Sequence, residues 1–357
     1  MKHMNLAKKI ARRLLPDGLY DIFRIYHNCE VAGYAVYAEC VHKYGHNVRI
    51  LGTAWRGSGD YLFCGMYLGK WLKNNGVENY VFFMPETGSE RKIADLYGQG
   101  VFNEKHRWYV KSNVRNIRAL STFLQWQTPL YEHFHHGNKN PNNISESCSV
   151  PGLCGYKGWN MLDFYLHSGF RLPRDTMPEQ PQFIDAGAEE IHAIFVDNGL
   201  VPGKTVLLSP YSTGLKKFEL PVRFWEELAV WLMEHGWTVA TNCAGSEKPV
   251  KSTVPLALQY GYIVPFLNNL TQTGGQNVFI GIRSGLCDLV AFAQCRKIIV
   301  HTYKSRYWLD GRSIAYTGLN NMGLCDDAVE LEYSLHMEKS CLEEIERNVQ
   351  EPSLGKH

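Results

Sequence analysis

The chain has no run of eighteen or more apolar residues, so none of its helices is expected to span a membrane. Its first residues are basic, but no apolar segment with a small-residue cleavage site follows. No secretory signal is therefore expected, and the expected location is the cytoplasm. The ten cysteines (29, 40, 64, 148, 154, 243, 287, 295, 325 and 341) include no C-x-x-C pair. That spacing argues against a zinc site or a disulfide framework and for reduced thiols. A net charge of +2 is too small for a dedicated nucleic-acid binder. What remains is a chain of 357 residues, 45% hydrophobic and 20% charged, long enough for two domains with real cores. Its 13% aromatic content suits clefts that stack rings or sugars, although cores use aromatics too.

The most informative stretch is Asn277–His301. An apolar run, Val278 to Ile282, reads as a buried strand. It turns through Arg283-Ser284-Gly285 into Leu286–Ala293, whose apolar residues recur at helical spacing, and Lys297–Val300 follows as a second strand. Strand, turn, helix, strand is a parallel βαβ unit, and its turn lies at the carboxyl end of the first strand, where open α/β sheets bind ligands. With Arg283 beside free backbone N–H groups, the corner can seat a phosphate, or it can be a structural corner with Arg283 in a surface pair.

Residues 5–26 read as a short basic amphipathic helix with Leu6, Ile10, Leu14 and Leu15 on one face and Lys8, Lys9, Arg12 and Arg13 on the other, stopped by Pro16-Asp17-Gly18, and then a second amphipathic piece. Either it lies on an anionic membrane surface or it is an ordinary packed helix. Domain boundaries follow: 1–45 for this segment, 46–200 and 201–335 for two Rossmann-like α/β domains, and 336–357 for a charged terminal helix and tail.

The first domain opens with a strand, Val48–Gly52, a glycine-rich turn, Gly57-Ser58-Gly59-Asp60, a helix from Tyr61 to Asn74 and a strand, Tyr80–Met84. Asp60 is either the helix N-cap or a carboxylate able to take a proton from a substrate hydroxyl. Arg56 and Gly59 are the acceptor-loop candidates. His133, His135 and His136 run into an Asn-rich segment and read as loop histidines, not metal ligands. Residues 137–158 read as a long surface loop. The second domain starts with the strand Thr205–Pro210 and the polar loop Tyr211–Leu220. A helix led by Pro221 and ended by Gly236 comes next, then the strand Trp237–Asn242. The hydroxyls of Ser209, Tyr211, Ser212 and Thr213, with Lys216 and Lys217, are the donors and positive charge that a diphosphate needs; a solvated lysine loop has the same pattern.

Three segments resemble one known family. The order strand, Gly57-Ser58-Gly59-Asp60, helix is similar to the opening of heptosyltransferase-type glycosyltransferases, glycosyltransferase family 9, which carries a Gly-Asp before a helix. Residues 206–242 resemble that family's donor-domain segment, and residues 280–300 resemble its later D-S-G-x-x-H-x-A motif. The resemblance implies a GT-B fold: two Rossmann-like domains facing a central cleft, with a nucleotide sugar bound mainly by the second. It implies that Asp60 is the catalytic base and that Lys216 or Lys217 holds the diphosphate. In the last motif the family's acid is replaced by Arg283 and its histidine by Asp288. The expected donor is therefore a nucleotide sugar other than ADP-heptose, bound by Arg283, Ser284, Gly285 and Asp288.

The resulting expectation is an inverting, metal-independent glycosyltransferase. It would move a sugar from a nucleotide-sugar donor to a glycan or lipid-linked acceptor in bacterial surface polysaccharide synthesis. No cofactor or metal is expected, and residues 5–26 would touch the inner face of the membrane. Two alternatives stand beside it: a GT-B-like sugar-nucleotide epimerase, which needs a second carboxylate, and a non-catalytic nucleotide- or sugar-binding subunit, which has no need of Asp60. Asp326-Asp327 reads as a surface turn, and the aromatic stretch after His301 as either a pocket lining or packing.

Overall fold

The computed structural model describes residues 34–52, 57–85, 88–110, 159–184, 187–212, 220–243, 247–269, 275–302, 313–333 and 337–350. Residues 5–26, Arg56, the histidines at 133–136, the loop 137–158, Thr213, Lys216, Lys217 and most of the aromatic stretch after His301 lie outside them. The described residues fall in two compact units. One is made from parts of Met1–Arg56, Tyr67–Ser149 and Tyr165–Thr176, the other from parts of Gly57–Met66, Val150–Phe164 and Met177–His357. No helix among the described residues is long and apolar enough to cross a membrane.

In the first unit, helix α1 (Tyr34–Tyr44) precedes β1 (Arg49–Leu51). Helix α2 (Ser58–Asn74) gives its later residues to this unit, followed by β2 (Tyr80–Pro85), α3 (Ser89–Asp95) and β3 (Arg107–Val110). The strands form a parallel sheet in the order β1-β2-β3. Every residue of β2 is buried, as an apolar run in a parallel sheet covered on both faces should be. Ile50, Val81, Phe83 and Trp108 pack with Cys40 of α1 on one side. Arg107 is buried at the start of β3. Its guanidinium reaches Asp95 at 2.5 Å and the Ala94 carbonyl at 3.1 Å, so its charge is matched and the end of α3 is tied to the sheet.

The second unit begins for the described residues with the first turns of α2 and continues through α4 (Met161–Phe164), α5 (Ala188–Asp197) and β4 (Thr205–Ser209). Then come α6 (Val222–Glu234), β5 (Thr238–Asn242), β6 (Val254–Leu256) and α7 (Tyr260–Leu267). The chain goes on through β7 (Val278–Ile282), α8 (Gly285–Val290) and β8 (Arg296–His301). It closes with α9 (Ser313–Thr317), β9 (Ala328–Glu332) and α10 (Glu338–Gln350). The six strands are all parallel in the order β6-β5-β4-β7-β8-β9. Counted from β4, that is the 3-2-1-4-5-6 order of a doubly wound Rossmann sheet, and the order reverses between β4 and β7. Helix α6 buries Phe224, Trp225, Leu228, Ala229 and Leu232 on the sheet, and α10 adds Cys341, Ile345 and Val349 to the same core. Gly236, at φ 81°, ends α6 in the left-handed conformation that glycine adopts without strain.

The α/β class with parallel sheets is as expected, but two features differ from the sequence reading. Residues 57–66, 159–164 and 177–200 belong to the second unit, not the first. The last stretch is held there by contacts with α7: Phe195 stacks on Phe266 with ring centroids 4.4 Å apart, and Gly261 sits directly against Ile184. In addition α2 starts at Ser58, so Asp60 lies inside its first turn and is not the N-cap.

One fully buried side chain fastens the middle of this sheet. Asn277 accepts from the Thr205 N–H at 3.2 Å and donates to the carbonyls of Phe266, Leu267 and Asn269, the last at 2.7 Å. It joins the start of β4 to the carbonyl end of α7. Asn277→Ala orphans these buried groups at once and should cost about 2–4 kcal/mol. Urea unfolding with an unchanged slope and a lowered midpoint is the expected result; a midpoint equal to the parent's would refute the clamp.

Candidate active site

Strand β4 ends in Ser209, which is paired in register with Gly281 of β7, so these residues mark the place where the strand order reverses. Ser209 and Ser212 are buried, and the Tyr211 hydroxyl donates to the Lys248 carbonyl at 2.6 Å, tying the loop after β4 to the loop after β5. A Cβ on Gly281 would sit 3.1 Å from the Ser209 Cβ, so the smallest residue here keeps the two strand ends close. At the end of β5, the buried Asn242 keeps its Oδ1 without a hydrogen-bond partner among the described residues, and so does Glu247 Oε2 in the next loop. Both are acceptors after the second strand of this unit, covered by protein and without a partner among the described residues, so a donor brought close to them would be favourable. The sequence reading missed them; the only signal was their place just after the second strand of a Rossmann unit, where ribose hydroxyls are commonly met.

The first turn of α2 is packed into this unit. A Cβ on Gly285 would lie 2.2 Å from Ser58 Oγ and 2.5 Å from the Gly59 nitrogen. A Cβ on Gly59 would lie 2.4 Å from Asp288 Oδ2. The two helix starts therefore touch through glycines, and any side chain there would force them apart. Asp60 is buried, and its Oδ2 accepts from the Gly57 N–H at 2.9 Å. This is the return half of a capping box, a third-position acid reaching back to the start of its helix. The bond orients the carboxylate. The acid from the first half of the chain and the Ser284-Gly285 corner from the second thus share one neighbourhood.

Arg283 is buried, and each of its three nitrogens donates to protein: Nε to the Thr317 carbonyl at 2.7 Å, Nη2 to Asp288 Oδ1 at 2.6 Å, and Nη1 to the Ser284 carbonyl. It braces the corner from behind. Burial works against its charge, but Asp288 and the other groups around it hold the guanidinium above its ordinary range. Burial pushes the Asp288 carboxyl up to about 6, while Arg283 pulls the other way. Asp327, expected as part of a surface turn, lies 2.8 Å from the buried Lys297 ammonium. Of the sequence-derived candidates, Gly59, Asp60, Gly285 and Asp288 come together, with Arg283 and Ser284 adjoining. Ser209, Tyr211 and Ser212 lie on the neighbouring strand end.

No family model matches the chain, and no curated protein matches it either. Solved structures do. The E. coli ADP-heptose LPS heptosyltransferase II is 14% identical with a TM-score of 0.48, over 84% of this chain and 97% of that one. A glycosyl transferase of family 9 from Veillonella parvula is 12% identical with a TM-score of 0.47, over 83% and 90%. The E. coli heptosyltransferase WaaC, solved with ADP, is 12% identical with a TM-score of 0.43, over 84% and 99%. The likeness is to proteins of the kind that the three sequence segments resemble. At TM-scores below 0.5 it carries no inference about residues.

Two outcomes follow from this geometry. Gly285→Ala should destabilise the protein by about 1–3 kcal/mol, because the Gly59 backbone cannot yield as a flexible side chain would; an unchanged melting temperature would contradict the contact. A carboxyl held above its ordinary value binds its proton more tightly in the folded chain than in the unfolded one. The contribution of Asp288 is thus most favourable in acid and is lost as pH rises through about 6. Asp288→Asn should remove that slope from a pH–stability profile, and an identical slope in the variant would assign it to another group.

Proposed function

We propose that the protein is an inverting, metal-independent glycosyltransferase of the GT-B type. It would transfer a sugar from a nucleotide-sugar donor to a glycan or lipid-linked acceptor in bacterial surface polysaccharide synthesis. The observation that carries this reading is the docking of the Gly57–Asp60 turn on Ser284-Gly285, beside the point where the strand order of the six-stranded sheet reverses. A carboxylate is thereby held next to the edge where doubly wound sheets take nucleotides.

In this reading the donor's diphosphate lies across the ends of β4 and β7, near Ser209, Tyr211, Ser212 and Ser284, with Thr213 and Lys216 or Lys217 supplying further donors. Asn242 and Glu247 accept from the ribose hydroxyls. Asp60 takes the proton of the acceptor hydroxyl as its oxygen attacks the anomeric carbon. The bond from that carbon to the diphosphate breaks, its electron pair leaves on the diphosphate, and the anomeric centre inverts. Lysine charge and hydroxyl and backbone donors offset the negative charge that develops on the leaving group. Arg283 serves this edge by holding the corner rigid. The enzyme is cytoplasmic in this reading, with residues 5–26 resting on the inner face of the membrane beside a lipid-linked acceptor.

The deciding experiment is a thermal-shift screen against UDP, GDP, ADP, CMP and their common sugar conjugates, with and without EDTA. A ligand that binds only the folded state raises its apparent stability. One nucleoside diphosphate should stabilise the protein equally in both conditions; stabilisation by none of them would move the non-catalytic binding subunit ahead. With that nucleotide identified, Asp60→Asn should abolish transfer at nearly unchanged donor binding, whereas Lys217→Ala and Arg283→Ala should weaken binding. Glu247→Ala should cost about tenfold in affinity for the ribonucleotide and little for its 2′-deoxy analogue, an order typical of a lost hydrogen bond to a charged group.

A further inference from the structure

Beside Arg283 a chain of hydrogen bonds runs from the carboxyl end of β8 to the middle of β9, and no step of the proposed reaction uses it. His301, at the end of β8, is buried. Its Nδ1 lies 3.0 Å from Ser313 Oγ, and its Nε2 lies 3.0 Å from Glu330 Oε1. Glu330 also accepts the N–H groups of Leu319 at 2.8 Å and Asn320 at 3.2 Å, which fixes the turn after α9. Ser313 lies 3.1 Å from Thr317 Oγ1, and the Thr317 carbonyl receives Arg283 Nε. The short helix α9 is thus tied at one end to His301 and at the other to the guanidinium that braces Ser284-Gly285.

The hydrogens of this chain have two self-consistent arrangements. Thr317 Oγ1 already donates to the Ser313 carbonyl at 3.0 Å. With His301 neutral, its Nε2–H donates to Glu330 and Ser313 Oγ–H donates to Nδ1. With His301 protonated, Nδ1–H donates to Ser313, and the serine proton must turn to Thr317. The second arrangement changes the polarity of the contact that starts α9 and adds a positive charge in the neighbourhood of Arg283. Burial, with Arg283 in support, holds the imidazole below its ordinary value, although Glu330 and Glu332 oppose them, so the neutral arrangement prevails at neutral pH.

We propose that His301 is a positioning residue for the nucleotide edge: with Ser313 and Glu330 it fixes α9, and through the Thr317 carbonyl α9 fixes Arg283 and the turn that opens α8. The inference rests on reading that corner as part of the donor site. It predicts that loosening His301 is felt at Ser284-Gly285 although the two share no direct hydrogen bond.

The test compares the full-length parent with His301→Gln and the milder Ser313→Ala. Hydrogen exchange is followed at residues 283–288, and the affinity for the stabilising nucleoside diphosphate is measured between about pH 5.5 and 8, a window around the ordinary histidine value. Both variants should raise exchange at 283–288 while leaving β4 and β5 protected. They should also weaken nucleotide binding about fivefold to tenfold, the lower range of couplings between linked sites. In the parent, affinity should fall as pH drops below the ordinary histidine range, and His301→Gln should lack that part of the dependence. Asp288 titrates in the same window in both proteins, so the difference between their profiles is the readout.

Unchanged exchange at 283–288 in a folded His301→Gln overturns the inference whatever the protein binds. Altered exchange with unaltered affinity and pH profile reduces His301 to a structural role and also overturns it. A parent that binds none of UDP, GDP, ADP and CMP overturns the donor-site reading first, and this inference with it.

Discussion

The site depends on a single steric constraint, the absence of side chains where the starts of α2 and α8 meet. Gly285 leaves no space between itself and Ser58, and Gly59 leaves none between itself and Asp288. Helix starts carry unsatisfied N–H groups and partial positive charge, so bringing two together costs electrostatic energy unless negative charge lies near. Asp60, in the first turn of α2, lies where such a charge is wanted, whereas Asp288, in the first turn of α8, is matched by Arg283. One carboxylate is held by the Gly57 N–H and the other by Arg283. Geometry and charge therefore work together: the glycines permit the approach, Asp60 sits where negative charge is wanted, and Arg283 offsets Asp288.

Much of the fold was legible because a parallel sheet writes itself as apolar runs separated by amphipathic helices. The strands at 205–209, 238–242 and 278–282 and the helix at 222–234 lie where hydrophobic periodicity, Pro221 and Gly236 put them. The strands that escaped notice were β3, β6 and β9. β6 has only three residues, one of them Pro255, and β9 carries Glu330 and Glu332, so neither reads as a buried run. α7 escaped notice as well, because Pro265 lies inside it where a sequence reading expects a helix to stop. The boundary at residue 200 went astray for a different reason. The stretch from Met177 to Gly187 has no strong pattern of its own, and the helix expected at 189–198 does not say which sheet it packs on; both are assigned by what they touch, such as α7.

The candidate site was legible as a list of segments and not as an arrangement. Gly59, Asp60, Gly285 and Asp288 could each be named from turn chemistry and resemblance, but their mutual contact depends on two strand–helix corners far apart in the chain. Arg283 illustrates the difference. An arginine at a strand end after an apolar run has the same sequence whether it faces a phosphate or turns back, as here, onto a carbonyl and a buried acid. His301, Ser313 and Glu330 gave no signal at all, since nothing in their spacing marks residues joined across two parallel strands.

The membership of residues 57–66 in the second unit bears on the order in which the chain can fold during synthesis. Strand β4 pairs with β7, not with its sequence neighbour alone, and Gly59 meets its partner only at Gly285. The start of α2 emerges early but has no surface to dock on until β7 and α8 have also emerged. Closing such long loops is slow, and unpaired parallel strands remain exposed in the meantime. The acidic turn thus waits unassembled, and the carboxylate proposed to act on substrate is set in place only when the two strand ends at the point of reversal, β4 and β7, have both been made.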